Sequence, residues 1–360
     1  GVLAGHAGDA VQGTVFFSLF RGDVEYAAID SLGFDVFTPG NHEFDNGVDE
    51  LAAHLRHVKA AKLSANYDVS GTALDGVLQP YVIKHVGGKR IAFMGINLNP
   101  KGMIADKSFV GIRYIDAETV ALQLSDYLKQ TGIADYVVMV SHIGHVGSPG
   151  TLNDVEIVRK SHNIDLVIGG HSHTLVDPTN SHPRSPHLVK NADGRTIAIC
   201  QSGSKGEVMG KIDFDTETGK AELSQDASGN FYSRETETGK AVFSHISIDS
   251  RLDSRIAQYT AMNKWLAPYA EQVDKKMNTR IATSEQEMTS KDQRLGNWVC
   301  DAVVEVGRQL YGKDVQFSLM NRGGIRQNMP KGDVTEGDIE SMLPFDNRLV
   351  VIRIKGEHLL

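Results

Sequence analysis

The eight residues Thr38-Pro39-Gly40-Asn41-His42-Glu43-Phe44-Asp45 place an amide, an imidazole and two carboxylates beside two backbone breakers. They follow Phe34-Asp35-Val36-Phe37, an apolar run that reads as a buried strand. They precede Asn46-Gly47-Val48-Asp49-Glu50-Leu51, which reads as a helix start with Asn46 as its cap. Pro39 and Gly40 end the strand, so Asn41, His42 and Asp45 fall just past its carboxyl end, where open α/β sheets bind ligands. A lone turn of this kind is usually only a turn. Here the arrangement recurs: Asp9 follows Val2-Leu3, His142 follows Tyr136 to Val140, and His171 and His173 follow Ile164 to Ile168. One carboxylate, one amide and three imidazoles brought to one sheet edge make a metal site of mixed nitrogen and oxygen ligands.

The elements that must position them alternate. Gly22 to Leu32 and residues 46 to 62 have helical spacing, and Arg90 to Ile96 reads as a strand. Asp116 caps a helix that runs to about Gln130 and stops at Gly132, and another helix covers 152 to 161. This βαβ pattern predicts an α/β layer, a doubly wound sheet with the ligand-bearing strands ending along one edge. Residues 195 to 248 change to β texture, with strands at Thr196 to Gln201, Lys211 to Phe214 and Ala241 to Ile248. The string Thr-Glu-Thr-Gly-Lys, at 216 to 220 and again at 236 to 240, reads as a hairpin turn.

Residues 250 to 278 form one long amphipathic run, interrupted at Pro268, and read as an interdomain linker. The chain then starts again, with a helix from Arg294 to about Leu310 and strands at Asp314 to Met320 and Leu349 to Ile354. Between those strands, Asn321-Arg322-Gly323-Gly324-Ile325-Arg326 is a turn whose glycines let backbone approach a ligand and whose Arg326 offers a planar fork to an anion. A chain of 360 residues exceeds what one core usually organises, which favours two domains. A net charge of −8 leaves no basic face for nucleic acid, no apolar run is long enough to span a bilayer, and two cysteines are too few for a disulfide framework.

Gly8-Asp9, Gly40-Asn41-His42-Glu43, Ser141-His142 and Gly170-His171-Ser172-His173 resemble, in order and spacing, the motifs of the calcineurin-like metallophosphoesterases. More narrowly they resemble the catalytic domain of the 5'-nucleotidase family, and Asn321 to Arg326 with Leu343-Pro344-Phe345 resembles that family's C-terminal domain. The resemblance implies an α/β metallophosphoesterase sandwich of mixed β-sheets flanked by helices over residues 1–248. A linker helix over 249–280 and a second α/β substrate-binding domain over 281–360 would follow. It implies two divalent metal ions (Zn, Mn, Co or Fe), with Asp9 bridging them, Asn41, His142 and His171 filling one site, and His173 completing the other. His42, oriented by Asp45, would be the catalytic dyad, and Arg294, Asn321, Gly323, Gly324, Arg326 and Phe345 would hold the nucleotide.

The family's opening Asp-x-His is absent from this sequence, so the expectation is a chain cut before its first strand and part-way through its second domain. The implied function is 5'-nucleotidase hydrolysis, in a periplasmic or extracellular setting. Two alternatives stay open within the same chemistry, 2',3'-cyclic nucleotide and UDP-sugar hydrolysis. A third is a nucleotide-binding module without turnover. The oligomeric state is not legible.

Overall fold

The computed structural model describes residues 1–147, 151–176, 187–206, 208–217, 220–222, 242–247, 260–312, 314–345, 347 and 349–358. The chain divides into two units, Gly1–Val11 with Tyr26–Thr260, and Gln12–Glu25 with Ala261–Leu360.

In chain order the first elements are β1 (Gly5–His6), α1 (Val15–Phe20), α2 (Asp23–Leu32), β2 (Val36–Phe37), α3 (Val48–His57) and β3 (Ala61–Lys62). The three strands form a small parallel sheet in the order β1-β2-β3. Then come β4 (Tyr67–Asp68), β5 (Tyr81–Val86), β6 (Lys89–Asn97), β7 (Arg113–Tyr114), α4 (Ala117–Gln130), β8 (Tyr136–His142), α5 (Asp154–Lys160), β9 (Leu166–Gly169), β10 (Leu188–Lys190) and β11 (Thr196–Cys200). Six of these build the main sheet, ordered β10-β11-β9-β8-β6-β5, parallel from β11 to β6 and antiparallel at both edges. An antiparallel sheet of β12 (Val208–Asp215), β13 (Lys220–Glu222) and β14 (Val242–Ser247) follows.

The period of two along β6 and β8 decides the layering. Ala92, Met94, Ile96, Val137 and Met139 share one core with Ala117, Ala121 and Leu128 of α4 and Val155, Ile157 and Val158 of α5. Ile91, Phe93, Val138 and Val140 point the other way, into a second core with Val36 and Leu63. Both faces of the main sheet are therefore covered, as its nearly continuous apolar strands require. The result is a sandwich of mixed sheets flanked by helices.

Several expectations need correction. The ligand-bearing strands belong to two sheets, not one: β1 and β2 lie in the small sheet, β8 and β9 in the large one. The helix expected over 46 to 62 stops at His57, because Lys59 is held by Asp30 through its N–H (3.0 Å) and its ammonium (2.7 Å), and Ala61 and Lys62 pair with β2. Its cap is Gly47, with no side-chain bond, rather than Asn46. The strand at Arg90 to Ile96 is one arm of a hairpin whose other arm, β5, went unread. The second copy of Thr-Glu-Thr-Gly-Lys lies outside the described residues, while the first joins β12 to β13.

The second unit holds α6 (Thr260–Met277), β15 (Arg280–Ser284), α7 (Gln293–Tyr311), β16 (Gly332–Thr335) and α8 (Glu336–Met342). Strands β15 and β16 pair antiparallel, and Met288, Leu295, Val299, Ile325, Met329, Val334 and Met342 form its core. Helix α6 runs through Pro268 rather than breaking there, and α1 packs beside it, Phe20 meeting Tyr269 edge-on at 5.0 Å between ring centres. The strands expected at Asp314 to Met320 and Leu349 to Ile354 are not strands among the described residues: apolar runs without a pairing neighbour make no ladder. No helix of the described residues is long and apolar enough to cross a membrane.

Candidate metal centre

The carboxyl ends of β1 and β2 in the small sheet and of β8 and β9 in the main sheet converge, and the polar residues past those ends fall together. Ligand atoms of Asp9, His142 and His171 all lie within 4.8 Å of one another. Asn41 joins them through its Oδ1, 3.0 Å from His171 Nδ1. His173 stands outside this trio; it is exposed, and close enough to His171 to act on its charge.

Close backbone approach makes the cluster possible. A Cβ on Gly40 would strike the Asp9 carboxylate and the His142 ring, and one on Gly8 would strike the backbone of Gly40. Gly8 also sits at φ 87°, a conformation glycine adopts freely. Three side chains at the site share that left-handed region without being glycine: Asp9 (φ 54°), His171 (71°) and His173 (55°). Each such residue costs about 1–3 kcal/mol and persists only where its surroundings enforce it.

The electrostatics suit a cation. His142 is fully buried, and its Nδ1–H donates to the Ala7 carbonyl at 2.5 Å, which turns Nε2 toward Asp9. Nε2 lies 3.0 Å from Asp9 Oδ2, so a buried imidazole nitrogen and a carboxylate oxygen face each other, two donors that one cation could share. Burial alone would raise the Asp9 carboxyl; the His142 imidazole and the bonds from His42 instead hold it below the usual carboxylate range. Burial lowers His142, but Asp9, the Ala7 carbonyl and Glu43 together outweigh it, and the net shift is upward. Burial and the charge of His142 push His171 down to about 4, so its lone pair is available at neutral pH. A carboxylate, an amide oxygen and two imidazoles fit a divalent cation of the zinc or manganese kind.

His42 is not one of the trio. Its Nδ1 pairs with Asp45 Oδ2 at 3.0 Å, while its backbone N–H donates to Asp9 Oδ1 at 2.9 Å. Burial lowers the imidazole, and the bond to Asp45 and the nearby Asp9 charge more than offset it, so the net shift is upward.

Sequence reasoning gave no role to the residues that hold these loops. Glu43 is buried and accepts three backbone N–H groups: Oε2 from Asp9 (2.8 Å) and Gly40 (2.5 Å), Oε1 from Ala10 (2.7 Å). Burial and the Asp9 charge push it up to about 6. Asn97, at the end of β6, donates to the Pro39 carbonyl at 2.5 Å, and Gln201 binds the His171–His173 turn. Apart from Gly40, three residues before Glu43, these partners are 27 to 58 residues away, and no local pattern announces them.

In the second unit, Arg326 and Phe345 come together, the guanidinium 4.9 Å from the ring centre. Arg294 is instead held on Asp292 and Gln286, its Nη1 2.9 Å from Gln286 Oε1. Asn321 precedes a single 3-10 turn, Arg322–Gly324, in which Gly323 is exposed and Gly324 buried.

Residues 3–175 match the family model described as calcineurin-like phosphoesterase, and residues 272–360 match that of the 5'-nucleotidase C-terminal domain. The chain is similar to a snake venom 5'-nucleotidase of Gloydius brevicauda (28% identical over 99% of this chain and 60% of that protein). It is also similar to a trifunctional nucleotide phosphoesterase of Bacillus subtilis (25% identical over 98% of this chain and 24% of that protein). Among solved structures it resembles a 5'-nucleotidase precursor from Thermus thermophilus, with a TM-score of 0.73 and 27% identity over 95% of this chain and 64% of that one. The chain thus spans less than two thirds of each of these relatives' length. Both matched domains and the likeness over nearly every residue here lead to one conclusion: the chain belongs to the 5'-nucleotidase family, a calcineurin-like phosphoesterase domain followed by a 5'-nucleotidase C-terminal domain.

Proposed function

We propose that this chain carries the catalytic machinery for hydrolysing a nucleotide's phosphoester to nucleoside and phosphate. The observation that carries the reading is the convergence of Asp9, His142 and His171 within 4.8 Å, with the His42–Asp45 pair beside them. Asp9, Asn41, His142 and His171 would hold one divalent cation, and Asp9 with His173 would contribute to a second; Zn, Mn, Co and Fe all suit these donors. When bound, such cations polarise phosphoryl oxygens and make water a stronger acid near neutral pH.

The chain's own residues do the rest. Asp45 fixes the imidazole of His42 through Nδ1, so Nε2 is the edge turned away from Asp45 and carries the transferable proton. Water adds to phosphorus, the phosphorus–oxygen bond to the nucleoside breaks, and His42 delivers its proton to the departing oxygen. Burial works against that proton, but the bond to Asp45 and the nearby Asp9 charge shift His42 upward and so favour its retention. In the second unit, Arg326 and Phe345 are the proposed recognition pair, the guanidinium setting the ring that would stack on a base. Arg294, Asn321, Gly323 and Gly324 complete the proposed nucleotide-binding set. A periplasmic or extracellular location belongs to the same proposal, and the venom relative supports it.

Phosphate release from a 5'-nucleoside monophosphate, a 2',3'-cyclic nucleotide and a nucleoside diphosphate sugar, with and without a chelator, tests this reading. It expects the monophosphate to turn over fastest and the chelator to stop the reaction. Faster cleavage of either other substrate would reassign the specificity, and binding without turnover would leave a nucleotide-binding module.

A further inference from the structure

Gln201 follows β11 and lies far in sequence from every residue read as a ligand, yet its side chain is 2% exposed and both its polar atoms are engaged. Oε1 accepts from the Ser172 hydroxyl (2.9 Å) and from the Thr174 N–H (2.5 Å), while Nε2 donates to the Gly170 carbonyl (2.6 Å). These three partners bracket His171 and His173, the two histidines at positive φ. Backbone bonds extend the clamp, from the Val176 N–H to the Gln201 carbonyl and from the Gly203 N–H to the Thr174 carbonyl, both 3.1 Å. The Ser172 hydroxyl also accepts the His145 N–H at 3.0 Å, which ties the turn to the loop after β8. Strand β9 ends at Gly169, so no regular element dictates the turn's conformation from within.

We propose that Gln201 is a positioning residue for cation binding: its amide holds the 170–174 turn in the left-handed form that carries His171 to Asp9 and His142. The proposal rests on the reading of those three residues as cation ligands. An amide suits the task because it accepts two donors on one atom and donates to a carbonyl on the other, without adding charge beside the site. Gln201→Met keeps nearly the same volume and removes all three bonds. Gln201→Glu keeps the two acceptances but sets an oxygen against the Gly170 carbonyl. Freed of the clamp, the turn can relax from its strained form, and the bound cation must then reorder it.

The test is calorimetric titration of the cation-free protein with Mn²⁺ alone, beside thermal melts. Gln201→Met should bind Mn²⁺ at least about tenfold more weakly than the parent, with Gln201→Glu between the two. The melting midpoint without cation should also fall by several degrees, because Met leaves the Ser172, Thr174 and Gly170 groups without their partner. The Mn²⁺ affinity of the folded variant is therefore the deciding readout, and phosphate release should recover at high Mn²⁺. A lowered midpoint with unchanged Mn²⁺ affinity would overturn the proposal, since it would make Gln201 a stability residue only. Should Gln201→Met fail to fold, Ser172→Ala decides: severalfold weaker Mn²⁺ binding supports the clamp, and unchanged binding overturns it. A parent that binds no Mn²⁺ would instead overturn the metal-site reading beneath it.

Discussion

Replacing Glu43 tests whether the two loops of the site are held by one carboxylate. Its three accepted N–H groups come from both loops, Asp9 and Ala10 on one and Gly40 on the other, and the side chain is 3% exposed. A buried donor left without a partner costs about 1–3 kcal/mol. Glu43→Gln keeps one carbonyl oxygen, which can serve Asp9 and Gly40 as Oε2 does, and orphans Ala10 alone. Removing the charge also relieves repulsion from Asp9, so its cost belongs near about 1 kcal/mol. Glu43→Ala orphans all three donors; even with water admitted to the space, the loss should be at least about 3 kcal/mol. For a unit of this size, about 1 kcal/mol moves a melting midpoint by roughly 2–4 °C. Thermal melts in the presence of a chelator should then show a shift of a few degrees for Glu43→Gln and at least about 6 °C for Glu43→Ala. Equal shifts for the two variants, or none for Glu43→Ala, would refute the three-bond account.

Asp154 gives a pH signature. It is fully buried, and burial, partly offset by Ser141 and His142, pushes its carboxyl from 3.8 up to about 7. The native chain keeps this proton where the unfolded chain has lost it, so the contribution of Asp154 to stability is undiminished below about pH 4 and falls as pH rises toward 7. The whole loss is on the order of 4 kcal/mol at most, and melts across that window should show Asp154→Asn gaining on the parent as pH rises. His42→Ala should cut kcat by about a hundredfold or more while metal content, read by elemental analysis, stays unchanged; Asp45→Asn should do the same less severely. An emptied site in His42→Ala would make His42 a ligand. Phe345→Ala should weaken nucleotide turnover by about tenfold or more while sparing a small aryl phosphate. Equal loss on both substrates with a lowered melting midpoint would make Phe345 a packing residue.

Local rules made part of this molecule legible in its sequence. Asp116 is a helix cap because its carboxylate accepts the Thr119 N–H, and an apolar run ending in Ser141-His142 is a strand whichever sheet it joins. The Gly-Asp, Gly-Asn-His and Gly-His-Ser-His strings mark close backbone approach, and the structure brings Asp9, Asn41, His142 and His171 together. Pairing is a different matter. Nothing in Leu349 to Ile354 says whether another strand lies beside it, and in the structure none of the described residues does. Neither do Glu43 and Gln201 announce their distant partners, since those are set by how two sheets and two loops meet rather than by neighbours in sequence. Clamping residues of this kind become visible only once the fold has placed their partners.

The central claim is that Asp9, His142 and His171 hold a divalent cation. Titrating the chelator-treated chain with Mn²⁺ by calorimetry, beside Asp9→Asn, His142→Ala and His171→Ala, addresses it most directly. The account predicts saturable binding in the parent, abolished in His142→Ala and strongly weakened in the other two, with each variant still folded. Binding that survives all three substitutions, or a folded parent that takes up no cation, would contradict it.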